Sequence, residues 1–287
     1  MKHNITRWLT AVLTVASTIA GTNAQSLQSG YFDDNYLYRF QANPAFGNEG
    51  HGFVAMPGLG NLNIGTNGTI GLNHLFYNVN GETTTLLNPN ISASKALDGI
   101  REHMRLGVEM RETILAFGFS GMNGFNTFSI SARSQASIGL PKSILRLAKQ
   151  GLANETYDLS NFGAQGCAWA EVALNHSHRI NNKLRIGVTL KGLVGVASFD
   201  ARVKTANLHL NQDKYIGEVD AEIHASIGGL TWETSYNDRT HRNYVSGADI
   251  DGFSPVNGIG AAVDLGAVYT LNPDWEFSLA FTDLGFI

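Results

Sequence analysis

The side chains with most chemical potential here are nine histidines, one cysteine and a thin scatter of Asp, Glu, Lys and Arg. Their spacing excludes more chemistry than it supports. His176 and His178 stand two residues apart, on one face if the segment is a strand. With no Cys partner and no third ligand beside them, a pair at a loop or rim is expected rather than a metal centre. Asp249-Ile250-Asp251-Gly252 opens like a calcium loop but has no Glu at the closing position, which leaves a solvated loop. Gly118-Phe119-Ser120-Gly121-Met122 lacks the last glycine that the sharp turn of a nucleophile elbow requires. No Gly-rich stretch leads from strand to helix at phosphate-loop or dinucleotide-loop spacing. No catalytic residue, metal or cofactor is therefore expected, and the chain reads as a non-enzyme.

What remains is a set of charges on one parity of alternating segments: Arg105, Glu109, Arg111, Arg133, Glu171, Arg185 and Lys191. Two readings stay open for them. Lining a lumen, they would set solute selectivity, because charged rings in a pore bias which ions or head groups enter. Alternatively they neutralise one another and fill an enclosed interior.

The elements that carry them have a two-residue period. Met104, Leu106, Val108 and Met110 alternate with Arg105, Gly107, Glu109 and Arg111. Phe128, Ile130, Ala132, Ala136 and Ile138 lie opposite Thr127, Ser129, Ser131, Arg133, Gln135 and Ser137. The split recurs with Leu184, Ile186, Val188 and Leu190, with Trp275, Phe277, Leu279 and Phe281, and along Ile259 to Tyr269, where the opposite parity is mostly small (Gly258, Gly260, Ala262, Gly266) with Asp264 among it. Segments of roughly ten such residues are what a tilted strand needs to cross a bilayer. Met122-Asn123-Gly124, Asn181-Asn182-Lys183 and Asn272-Pro273-Asp274 read as tight hairpin turns. Phe76 to Asn90 and Asn237 to Pro255 read as long irregular loops, and short helices are expected over Pro141–Gly151 and Ser92–Leu97. About ten to twelve strands are expected.

Composition narrows the class further. Net charge is -4, sequence pI is about 6.1 and no block of like charges occurs, so nothing marks a nucleic-acid partner. A single cysteine, Cys167, cannot make an internal disulfide. Mean hydropathy of -0.08 suits a soluble protein and a barrel equally. The polar parity is crowded with Gly, Ala and Ser rather than Lys, Glu and Thr, which favours the inside of a narrow lumen over the wetted face of a β-sandwich. Trp275, Tyr269, Phe117 and Phe119 suit an interfacial aromatic girdle. At the start, Lys2 and Arg7 precede an apolar run from Trp8 to Ala20 and then Thr22-Asn23-Ala24, the order of a secretory signal peptide over residues 1–24. The expectation is one outer-membrane domain over 25–287, an all-β antiparallel transmembrane β-barrel with one or two short loop helices. Its partners would be the lipid bilayer and the barrel-insertion machinery.

Three stretches carry a resemblance. Tyr31 to Phe46 with Arg39-Phe40-Gln41-Ala42-Asn43-Pro44-Ala45-Phe46, Met56 to Leu62, and Gly258 to Tyr269 followed by Asp283-Leu284-Gly285-Phe286-Ile287 resemble an uncharacterised family of Bacteroidota outer-membrane proteins. That family is in turn similar to the long-chain fatty-acid transporter type of barrel. The resemblance implies a barrel and passage of a hydrophobic small-molecule solute, and carries no catalytic residues. Members of the family run on past the Asp-Leu-Gly-Phe-Ile segment, which implies a barrel incomplete at the C-terminus with an open edge. Three functions follow as expectations: a channel or transporter for small or hydrophobic solutes, a docking or secretion accessory that binds partners through its loops, and a secreted β-sandwich binding module.

Overall fold

The structure is a computed structural model that describes residues 28–33, 35–48, 51–56, 62–69, 76–151, 156–210, 215–252 and 254–287. The expected signal peptide, 1–24, lies outside the described residues, as does most of the Met56 to Leu62 motif. The first strands are β1 (Phe53–Ala55), β2 (Leu62–Gly68), β3 (Phe76–Val79), β4 (Glu82–Thr85), β5 (His103–Gly121), β6 (Gly124–Pro141) and β7 (Thr156–Asp158). They are followed by β8 (Gly163–Arg179), β9 (Leu184–Leu210), β10 (Tyr215–Ile227), β11 (Leu230–Asn237), β12 (Arg242–Ile250), β13 (Gly258–Asn272) and β14 (Trp275–Phe286). The helices are short: α1 (Gln28–Tyr31), α2 (Ala93–Leu97) and α3 (Lys142–Gln150), with a 3₁₀ turn at Arg39–Gln41.

Ten strands form one antiparallel sheet with the path β1-β5-β6-β8-β9-β13-β14; β2 continues β1 along β5, and β7 and β10 lie along the far half of β9. Among the described residues β14 at one edge and β1 and β2 at the other do not pair with each other. The sheet is nevertheless strongly curled. Arg133 on β6 reaches Asp283 on β14, Nη1 to Oδ1 2.9 Å, although β8, β9 and β13 separate those strands in the sheet.

Hairpin chemistry explains why strands join in this order. Met122 and Asn123 both have positive φ (58° and 57°), the conformation a two-residue turn of matching twist demands. The β5–β6, β8–β9 and β13–β14 turns all lie at one end of the sheet. The opposite end carries everything long. There the region read as irregular from Phe76 to Asn90 contains the β3–β4 hairpin, because Asn80 and Gly81 (φ 55° and 89°) make another two-residue turn. The Asn237 to Pro255 region likewise contains β12, paired with β11 in a second two-stranded ribbon. Among the described residues the strands therefore number fourteen, above the expected count. The two expected helices are present as α2 and α3, α2 capped by the Ser92 hydroxyl accepting from Lys95 N–H.

Polarity is inverted relative to a water-soluble sheet. Buried on the concave side are Thr127, Ser129, Ser131, Asn175, Thr189, Lys191 and Asp264; exposed on the convex side are Leu106, Val108, Leu174, Leu190, Ile259, Leu265 and Phe277. A sandwich would bury the second set between two sheets, whereas among the described residues the other sheets are two-stranded ribbons. Met104 departs from its parity, being buried at the long-loop end of β5. Beyond a bulge between Thr113 and Leu115 the alternation of β5 reverses, so Ala116 and Gly118 face in while Phe117 and Phe119 face out.

Candidate functional site

The concave face holds three layers, counted from the short-turn end. The first is the chain's own N-terminal segment, residues 31–33 and 35–47. Asn43 Nδ2 donates to the carbonyls of Ala267 and Leu279, Asn175 Nδ2 donates to Pro44 O at 3.1 Å, and Ser177 Oγ donates to Ala45 O at 2.8 Å. Asn43 and Ala45 are fully buried. Two glycines make room for this plug: a Cβ at Gly187 would strike the Pro44 backbone, and one at Gly266 would strike the Asn43 side chain. Within the segment Arg39 lies 4.1 Å over the Phe46 ring, and Tyr31 meets Phe46 edge-on with its hydroxyl bonded to Ser278. The Tyr31 to Phe46 stretch singled out in the sequence is thus the part that fills the short-turn half of the concave face.

Above it sits an ionic layer. Arg133 Nη1 is 3.0 Å from Glu171 Oε2, and its two terminal nitrogens take both oxygens of Asp283 at 2.9 and 3.1 Å. Lys191 Nζ lies 2.6 Å from both Asp264 Oδ2 and Asp283 Oδ1. Arg111 Nη2 is 3.9 Å from Glu171 Oε1, and Arg111 Nη1 donates to Gln41 Oε1 at 3.3 Å, which ties this layer to the plug. Three cations face three anions, so the cluster is neutral. Burial of unpaired charge in such a place would cost several kcal/mol per ion. Asp283 reaches its partners because β14 bulges there: its φ is +58°, tolerated by Asp, and its backbone N–H donates to Asp264 Oδ1 at 2.7 Å.

The third layer is a hollow of about 410 Å³ at the long-loop end, lined from β2, β5, β6, β8, β9 and β10. Arg105 and Glu109 line it, with Asn67, Gln135, Gln165 and Cys167. Charges around it are already engaged: Arg202 Nε donates to Asp200 at 2.8 Å, and Glu222 holds Lys204 at 2.6 Å and His224 at 3.1 Å. The Lys204 ammonium holds the Glu222 carboxyl below its usual range.

Of the seven charges singled out from parity, the fold brings Arg111, Arg133, Glu171 and Lys191 into one cluster and places Arg105 and Glu109 together in the hollow. Arg185 stands apart, in a smaller cavity at the short-turn end with Arg39, Arg179 and Glu276. Asp264 and Asp283 were missed as members of the site. Their signal was present: Asp264 is the one charge in a run of small residues, and Asp283 opens the Asp-Leu-Gly motif. His176 and His178 lie on the convex side with rings 5.8 Å apart, His176 Nδ1 paired with Asn126 Oδ1 at 2.9 Å. Among the described residues no three His, Cys, Asp or Glu side chains gather in metal-binding geometry. Asp249 is spent on the ribbon, its Oδ1 accepting from Ile250 N–H.

Residues 44–287 match the model of a protein family whose description is "Family of unknown function (DUF5723)". No curated protein and no solved structure matches the chain.

Proposed function

We propose that this chain, which belongs to the DUF5723 family of unknown function, is a non-enzymatic outer-membrane barrel that admits small solutes to a lumen closed on one side by its own N-terminal plug. The observation that carries this reading is the inverted polarity: Ser, Thr, Asn and paired charges outnumber apolar side chains among those the sheet buries, Met104, Phe125, Tyr157 and Val268 being the large apolar exceptions, while Leu, Ile, Val and Phe stand exposed on its other face. In water that arrangement loses the hydrophobic term that stabilises soluble sheets; in hydrocarbon it is the favourable one. Two features support it. Tyr269, Trp275, Phe277 and Phe119 gather as exposed rings near the short-turn end, where an aromatic girdle would meet the bilayer surface. Short turns at one end and long excursions at the other match the periplasmic and extracellular sides of such barrels.

The plug and the ionic layer fill the short-turn half, so solute entering from the long-loop end meets a closed floor. Passage then requires the plug to move. Full-length chain expressed in a Gram-negative host is expected in the outer-membrane fraction and to migrate faster on a gel unheated than boiled. Recovery as free periplasmic protein with no heat-modifiable migration rejects the reading.

A docking role has one observation of its own. The β11–β12 ribbon projects from the junction of β10 and β13 with Trp232, Tyr236 and Val245 exposed, and an isolated two-stranded ribbon is marginal in water. A stable partner co-purifying through the ribbon, with no solute movement, would favour it.

A further inference from the structure

We infer that the hollow at the long-loop end is a binding site for a short zwitterionic peptide of two or three residues, its carboxylate held by Arg105 and its ammonium by Glu109. The inference rests on the outer-membrane reading only for the direction from which the peptide arrives. Its volume of about 410 Å³ falls within the range of small-molecule sites, about 300–1,000 Å³.

Charge accounting around the hollow selects the ligand class. Asp200 is engaged by Arg202, and Glu222 by Lys204 and His224. Among the described residues Arg105 and Glu109 have no ion-pair partner, although both line the hollow. One unengaged cation and one unengaged anion ask for a ligand that carries both signs. A long-chain carboxylate would satisfy Arg105, leave Glu109 facing it and lay its tail against amides. A neutral sugar would leave both charges without a counter-charge.

Spacing then sets the length. Arg105 and Glu109 are four residues apart on β5, about 13 Å between Cα atoms at about 3.3 Å per residue. The two charges of a free amino acid sit on one carbon, too close together to meet both groups. A peptide of two or three residues separates them, and places its amide groups where Gln135 and Gln165 of β6 and β8 can donate and accept. Gly107, between the two charges, has no side chain of its own, and the Asn67 carboxamide that packs against it stands between Arg105 and Glu109 as a further donor and acceptor for the peptide amides.

The test uses the full chain in detergent micelles, titrated calorimetrically with trialanine, with N-acetyl-trialanine-amide, with sucrose and with decanoate. Saturable binding of trialanine is expected, weakened about tenfold or more by capping its ends, since a charge-assisted hydrogen bond is worth roughly that factor. Arg105→Gln and Glu109→Gln should each weaken trialanine comparably and bind the capped peptide no worse than the parent, with heat-modifiable migration unchanged as evidence of folding. Equal binding of capped and uncapped peptide, preference for sucrose or decanoate, indifference to both variants, or no saturable binding by a heat-modifiable chain overturns the inference. Trialanine binding by a chain that stays soluble in the periplasm would leave the peptide site standing while the outer-membrane reading falls.

Discussion

Lys191 decides the ionic layer at the residue scale. Its side chain is 4 % exposed, and among the described residues its ammonium is the one cation that touches both Asp264 and Asp283. Lys191→Met leaves a buried carboxylate without a counter-charge, and breaking a buried pair from one side typically costs about 3–5 kcal/mol. Urea unfolding of the variant in lipid, followed by tryptophan fluorescence, is expected to show a loss of that size. Adding Asp264→Asn removes the stranded charge and should return part of the loss; a double variant no more stable than the single one would mean that the two groups do not act together. The same residue scale explains what parity could and could not reveal. Alternation assigned Lys191, Arg133, Arg111 and Glu171 to one face, but their partners Asp264 and Asp283 come from β13 and β14, and which charges meet across a curled sheet depends on register and on the bulge at Asp283, neither of which has a period.

At the scale of elements, the strands were legible because each has a charged or small parity and an uncharged one, and the hairpin turns because Asn marks them, Asn123 by taking positive φ and Asn181 and Asn272 by accepting from the backbone N–H two residues on. Three things were not. The bulge after Thr113 flips the faces of β5 with no change in residue type, since Thr113, Ile114 and Leu115 serve either face. The β3–β4 and β11–β12 ribbons are short; β11–β12 is largely exposed on both faces, and β3 alternates over only four residues, with Tyr77 and Val79 packed on Leu86, Ile91 and Ala96, too few for a period to stand out. The plug has no period at all: Tyr31 to Phe46 is a run of turns held by Asn43, Asn175 and Ser177, and it announces itself only through the glycines opposite it. Those glycines give a test. Gly187→Leu puts a side chain where Pro44 lies and should expel the plug without touching the outer face, raising single-channel conductance in planar bilayers several-fold over the parent; parental conductance in a folded variant would show that moving the segment alone does not open the lumen. The turn at Met122 offers the opposite kind of change. An L-residue at φ 58° is strained by about 1–2 kcal/mol, and Met122→Gly relieves the sterics at some entropic cost, so a modest gain in urea midpoint is expected.

For the whole molecule, the question is which solvent the convex face meets, and substitution there answers it without regard to solute or partner. β9 has 27 residues, about 90 Å at about 3.3 Å each, while a tilted strand needs about 9–11 residues to cross a bilayer. On the outer-membrane reading, its first part, paired to β8 and β13, is the spanning part, and its second part, paired to β10, extends past the bilayer with Asp200, Arg202 and Lys204 at its sides. Leu190 lies in the first part, faces out and is 60 % exposed. In water, Leu190→Arg would be an ordinary surface change, within about 0.5 kcal/mol and favourable to solubility. In a bilayer the same arginine costs about 2–4 kcal/mol near the midplane. Thr205→Arg on the extension, a position beyond the bilayer on this reading, should cost little in either solvent and serves as the control. Refolding both variants into vesicles and comparing urea midpoints with the parent separates the cases: a large loss for Leu190→Arg beside a small one for Thr205→Arg places hydrocarbon against the first part of β9, and equal small effects would return the convex face to water and take the lumen, plug and solute with it.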